Sequence, residues 1–148
     1  ERPSYFERNI YPTPNLSVRT FIFNEKHELL MVKEANSGLW SLPGGWLDLY
    51  DSPKTGAKKE CLQEAGAEVD ITRLVGIMDL SPYSSSKMSE YVIVFEGKVV
   101  RFLPEHCHET TDVQFFPLDQ IPPLSRKMYQ HTMERFLKAI EEKQTIFD

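Results

Sequence analysis

The sequence predicts an α/β domain in which helices cover the faces of one mixed sheet. Strand-like stretches stand on both sides of a single well-bounded helical segment, and a second helical segment with apolar residues at helical spacing lies near the end of the chain. The 148 residues, 41% hydrophobic and 26% charged, suit one domain with one substantial core.

Residues 1–14 read as an arm that leads into a domain spanning 15–148. Pro3, Pro12 and Pro14 disfavour both helix and central strand there. Ser17 to Phe23 follows with Val18, Phe21 and Phe23 as apolar anchors of a strand, Asn24 to His27 is a polar turn, and Glu28 to Glu34 is a second strand. The pair reads as a hairpin. Leu39 to Leu42 is a short strand that runs into Pro43-Gly44-Gly45, read as a sharp bend whose missing side chains let another group approach. A helix over Lys54 to Ala65 has Ser52 as N-cap, Pro53 at its first position and Gly66 just past its end. Val69 to Met78, Tyr91 to Val100 and Val113 to Phe116 read as further strands, with a Ser-rich mobile loop from Ser81 to Ser89. Pro122 and Pro123 end the strand region, and Ser125 is the expected cap of a last helix reaching about Glu142, with Met128, Phe136, Leu137 and Ile140 on its apolar side.

Composition excludes several classes. The net charge of −5 comes without a long basic cluster, which argues against a nucleic-acid-binding face. No apolar run approaches the ~20 residues of a membrane-spanning helix, and the polar first residues, Glu1 to Tyr5, lack the order of a signal peptide. The absence of an initiator Met fits a start inside a longer chain. Cys61 and Cys107 are too few for a disulfide framework and read as free thiols of a cytoplasmic protein, Cys61 as a small buried apolar residue.

The chemistry concentrates on the first helix. Glu60 and Glu64 stand at i, i+4 and leave the same face, and Gln63 shares it. Such a pair usually marks a solvated face. A cation between the two carboxylates would reverse their mutual repulsion, and magnesium is commonly held by one or two carboxylates, water and substrate phosphate. The Gly-Gly lead-in, its fixed spacing to the helix and the Gly stop lift the reading above the bland one.

The segment from Gly45 to Ala67 resembles the signature of the Nudix hydrolases, Gly-x5-Glu-x7-Arg-Glu-U-x-Glu-Glu-x-Gly-U, with U a bulky apolar residue. Gly45 takes the first Gly, Asp51 the first Glu, Lys59 the Arg and Glu60 the Glu after it. Cys61 takes the first U, Gln63 and Glu64 the Glu pair, and Gly66 and Ala67 the close. Trp40 to Trp46 and Phe115 to Pro122 are similar to segments of the same superfamily, so the resemblance runs from about Asn15 to Ile140. It implies an α/β/α sandwich around a mixed central sheet and hydrolysis of the pyrophosphate in a nucleoside diphosphate linked to another group. Mg2+ or Mn2+ would assist, held by Glu60, Glu64, Gln63 and the Gly44 carbonyl. Asp51 and Lys59 would form a supporting salt bridge.

The signature is degenerate at Asp51, Lys59 and Gln63. Asp51 reaches less far than Glu, and Lys59 lacks the planar fork of Arg. Gln63 is the serious departure, because opposite unit charges ~4 Å apart interact by about 4 kcal/mol at an effective dielectric of 20, before desolvation. Glu109 and Asp112 lie just before the Phe115-Phe116 strand, where the resemblance implies a further acid that would compensate. The Tyr11-Pro12-Thr13-Pro14 lead-in and the Pro122 to Ser125 exit resemble a bacterial branch typified by ADP-ribose and CDP-choline pyrophosphatases, which implies a small-molecule nucleotide substrate and a homodimer. Tyr11, Trp46 and Tyr83 are the expected substrate-stacking residues, with Trp40 and Phe102 as further aromatics. His106-Cys107-His108 is too tightly spaced for a usual zinc set, and His131 reads as a plain helix residue. Two functions remain open at this point: a metal-dependent pyrophosphohydrolase, or a nucleotide-binding module in which Gln63 has cost most of the catalysis.

Overall fold

A computed structural model describes residues 11–83, 88–125 and 130–148. Its elements are strands β1 Asn15–Phe23, β2 Leu29–Glu34, β3 Trp40–Ser41 and β4 Gly44–Trp46, helix α1 Pro53–Ala65, strands β5 Ala67–Asp79, β6 Glu90–Phe102 and β7 Thr110–Phe116, helix α2 Gln130–Glu141, and strand β8 Ile146–Phe147. The strands form one sheet in the order β3-β2-β1-β6-β5-β8, with β4 also paired to β1 and β7 to β2. β1 runs parallel to β6, and β5 parallel to β8, while the other pairs are antiparallel. The sheet is therefore mixed, as the sequence predicts.

Alternation of side chains along the strands divides the core in two. Val18 and Ile22 of β1, Leu30 and Val32 of β2, and Ile93 and Phe95 of β6 pack with Ala57, Cys61 and Ala65 of α1. Their neighbours Phe21, Phe23, Leu29, Met31, Val92 and Val94 pack with Met133, Phe136, Ala139 and Ile140 of α2. One helix covers each face, which is the expected α/β/α sandwich. None of the helices among the described residues is long and apolar enough to cross a membrane.

The signals around α1 are realised. The Ser52 hydroxyl accepts the Thr55 N–H at 3.1 Å, Pro53 opens the helix, and Gly66 closes it at φ 62. Gly there avoids the cost of a left-handed conformation for a side-chain-bearing residue.

Two expectations change. The bend falls at Pro43, and Gly44 and Gly45 are strand residues of β4, paired with Arg19 and Val18. The glycines serve close approach instead, since a Cβ on Gly44 would fall 2.0 Å from the Val18 carbonyl oxygen. The chain also ends in a strand, Ile146–Phe147, that two residues of pairing hold to β5 and that periodicity is too short to announce. Pro3 of the arm, residues 84–87 of the Ser-rich stretch, and the residues directly after Ser125, including Met128, lie outside the described residues.

Candidate active site

α1 is pressed to the sheet through small residues: Ala57 and Cys61 are fully buried, and Ala65 nearly so. That contact turns the Glu60–Glu64 face toward β4. Gly44 N–H donates to Glu64 Oε1 at 3.1 Å. A Cβ on Gly45 would lie 3.2 Å from the Glu60 carboxylate, so the absent side chain leaves room for that group. Glu109, directly before β7, brings a third carboxylate. One ligand oxygen from each of Glu60, Glu64 and Glu109 lies within 4.8 Å of the others.

The three acids line a cavity of about 490 Å³, together with Arg19, Gly44, Gly45, the β2–β3 connection from Glu34 to Ser37, and Thr110. Arg19, like Thr110, lines the cavity and was missed by the sequence reading. Arg19 carries the charge. It is partly buried, and its Nη1 donates to the Leu42 carbonyl at 2.7 Å. Its signal is visible in retrospect: it is the lone cation of β1, between the buried Val18 and Thr20, a costly placement unless carboxylates face it.

Burial dominates the proton equilibria. Desolvation pushes the Glu64 carboxyl up to about 7, with Glu60 and Glu109 adding to the rise and Arg19 and the Gly44 N–H opposing it. Glu60 is also raised, by desolvation first and Glu109 second. The Arg19 guanidinium is lowered by desolvation and supported by Glu64. An apolar setting pushes the Cys61 thiol up to about 12, so it is an inert core residue.

The donor set suits a hard divalent cation. Three carboxylates converge from two separate segments, with charge too dense for the described cationic partner, Arg19, to neutralise. Oxygen-only ligands of this kind suit Mg2+ and Mn2+.

Other expected site residues fall elsewhere. Gln63 is not among the residues lining the cavity. Its carbonyl accepts the His108 N–H at 2.9 Å. Asp112 lies within β7 and bonds locally, accepting Val113 N–H at 2.8 Å and Gln114 Nε2 at 2.7 Å. Trp46 is exposed and donates its indole N–H to Glu90 at 2.7 Å. Tyr11 is exposed in the lead-in, and the Tyr83 ring packs 4.5 Å from that of His131. None of Tyr11, Trp46, Tyr83 and Asp112 lines the cavity of the three acids. Trp40 is a core residue set edge-on against Phe116, and Phe102 is edge-on to Phe115. Lys59 does reach Asp51, at 2.8 Å, and also Asp48, at 2.9 Å. Hydrogen bonds to the two acids raise its pKa, Asp51 contributing most. The lysine thus ties the loop before α1 back onto the helix at two points.

Comparison with known proteins supplies the family. The family described as NUDIX domain matches residues 13–140. The chain is 33% identical over 145 residues to the Bacillus subtilis protein YjhB, by name a provisional ADP-ribose pyrophosphatase, covering 93% of this chain and 68% of that one. Among solved structures, an ADP-ribose pyrophosphatase from Streptococcus suis superposes with a TM-score of 0.78 at 34% identity, covering 92% of this chain and 100% of the other. A UDP-X diphosphatase superposes with a TM-score of 0.84 at 26% identity, covering 93% and 68%.

Proposed function

This chain belongs to the Nudix hydrolases, and from that premise we propose that it hydrolyses the pyrophosphate of a nucleoside diphosphate linked to a second group, of ADP-ribose or CDP-choline type, with Mg2+ or Mn2+. The observation that carries the reading is the convergence of Glu60, Glu64 and Glu109 within 4.8 Å in one cavity. Two of the similar structures bear names for cleavage of such linked nucleoside diphosphates, ADP-ribose and UDP-X, which supports the substrate class.

Glu60, Glu64 and Glu109 would hold the divalent ion, with Gly44 beside them. A bound divalent ion neutralises charge that develops on the pyrophosphate. One of these carboxylates would take the proton of the attacking water as general base. The Gly44 N–H fixes the Glu64 carboxylate, and the small residues of α1 keep it close to β4. Arg19 engages the Leu42 carbonyl through Nη1 and lines the same cavity, and its remaining N–H groups would serve a phosphoryl oxygen there. The Lys59 bridge to Asp48 and Asp51 shapes the loop and takes no part in the chemistry. A homodimer in the cytoplasm, with residues 1–14 as an arm, completes the proposal by family resemblance.

Loss of charge at Gln63 favours the binding-only reading on sequence alone. Glu109 weakens that case, because it brings to the cavity a carboxylate from outside the helix. The test is a panel of nucleoside diphosphate conjugates assayed with and without Mg2+. Release of nucleoside monophosphate that requires the metal, and that Glu64→Gln lowers by at least about a hundredfold, supports the enzyme. Stabilisation by a nucleotide with no turnover on the panel would establish the binding module instead.

A further inference from the structure

Glu109 stands 45 residues beyond Glu64 in sequence, yet their carboxylates meet. The connection between β6 and β7, residues 103–109, solves this by capping the C-terminal end of α1. The last carbonyls of a helix have no partner within it. Here Gln63 O accepts the His108 N–H at 2.9 Å, and Gly66 O accepts the Leu103 N–H. Glu64 O accepts both the Thr110 hydroxyl and, at 3.1 Å, the Cys107 thiol. Gly66 admits this approach: a Cβ there would lie 3.0 Å from Pro104 Cα and 3.3 Å from Cys107 Cβ. Glu109 therefore sits between two points of attachment, His108 and Thr110, on the helix that carries the other two acids.

We propose that Thr110, assisted by Cys107, is a positioning residue: its hydroxyl clamps the β6–β7 connection to the backbone of Glu64 and so sets the Glu109 carboxylate against Glu60 and Glu64. Backbone and side chain of Glu64 then serve the site together, the carbonyl holding the loop and the carboxylate holding the cation. The inference deepens the metal site proposed above and rests on it. The anchor at residue 63 is its backbone carbonyl, which is independent of the side chain there.

The test is Mn2+ binding to the intact chain, followed by calorimetry without substrate, for the unaltered protein, Thr110→Val, Thr110→Ser, Glu109→Gln and the double variant Thr110→Val/Glu109→Gln. Loss of a group that orients a metal ligand typically weakens affinity by about tenfold or more. Thr110→Val is expected to lose about that factor, Thr110→Ser to restore it, and Thr110→Val to add nothing once Glu109→Gln is present. A Thr110→Val protein that melts earlier but binds Mn2+ as the unaltered chain does, or whose loss simply multiplies with that of Glu109→Gln, overturns the inference and leaves the metal site standing. Absence of Mn2+ binding by the unaltered chain overturns the metal site, and the clamp with it. If Thr110→Val does not fold, Thr110→Ala removes the same hydroxyl, and unchanged Mn2+ affinity in that protein is equally decisive against the clamp.

Discussion

Helices α1 and α2 cover opposite faces of one sheet, yet they are built from different materials. α2 buries Thr132, Met133, Phe136, Ala139 and Ile140, of which Met133, Phe136 and Ile140 are bulky apolar side chains that fill space. α1 buries Gly56, Ala57, Cys61, Glu64 and Ala65, of which four are small and the fifth is an acid. Large side chains hold a helix away from a sheet and anchor it by area removed from water. Small ones allow close approach at little hydrophobic gain. The comparison teaches that α2 is specified by stability and α1 by position, and that α1 depends on caps and on a docked loop where α2 depends on its core.

The most severe break of this division is expected from Phe136→Ala. Phe136 is fully buried, its ring 6.5 Å from that of Phe21. Its loss should cost about 3–5 kcal/mol of unfolding free energy, read by denaturant titration, with Mn2+ affinity of the remaining folded protein unchanged. A parallel loss of Mn2+ affinity would show that the α2 face is coupled to the site after all.

An intermediate effect is expected on the α1 face, and it is a dependence on pH. Glu64 is raised from 4.5 to about 7 in the folded chain, so the folded state favours its protonated form. The stability this contributes is fully present below about pH 4.5 and is lost as pH rises through about 7. Without metal, thermal unfolding of the native sequence should fall over that window relative to Glu64→Gln, and added Mg2+ should reverse the fall. Identical pH profiles for the two proteins would mean that the acid is not buried as described.

The smallest effect is expected at the rim. Lys59 joins Asp48 and Asp51 through exposed or half-exposed groups, and such pairs are screened by salt. Asp51→Asn should leave unfolding in high salt unchanged and shift it slightly in low salt. A large loss there would sharpen the comparison by showing that the loop before α1, as well as the loop after β6, holds the helix in place.

Much of the fold was legible because its signals are local. Ser52, Pro53 and Gly66 mark the ends of α1 by the backbone geometry each prefers, and the apolar spacing of α2 survives reading in one dimension. Glu60 and Glu64 were legible for the same reason, since i, i+4 geometry belongs to the helix alone. The role of Gly44 and Gly45 was read only in half. Close approach was inferred correctly, but pairing with β1 is a contact between distant residues, and no local pattern distinguishes it from a bend. Arg19 and Asp48 were passed over because each acquires meaning only from partners on other elements.

The sequence by itself determined the alternating faces of the strands, the limits of α1 and the pair of acids on it, because short-range sterics and helix periodicity decide these. The tertiary structure alone decided that Arg19 enters the same cavity, that Glu109 rather than Asp112 closes on Glu60 and Glu64, and that the loop carrying it is bound to the end of α1. These contacts span long stretches of chain, and only the packing of α1 against the sheet, with the unpaired carbonyls it exposes at its end, brings their members within hydrogen-bonding distance.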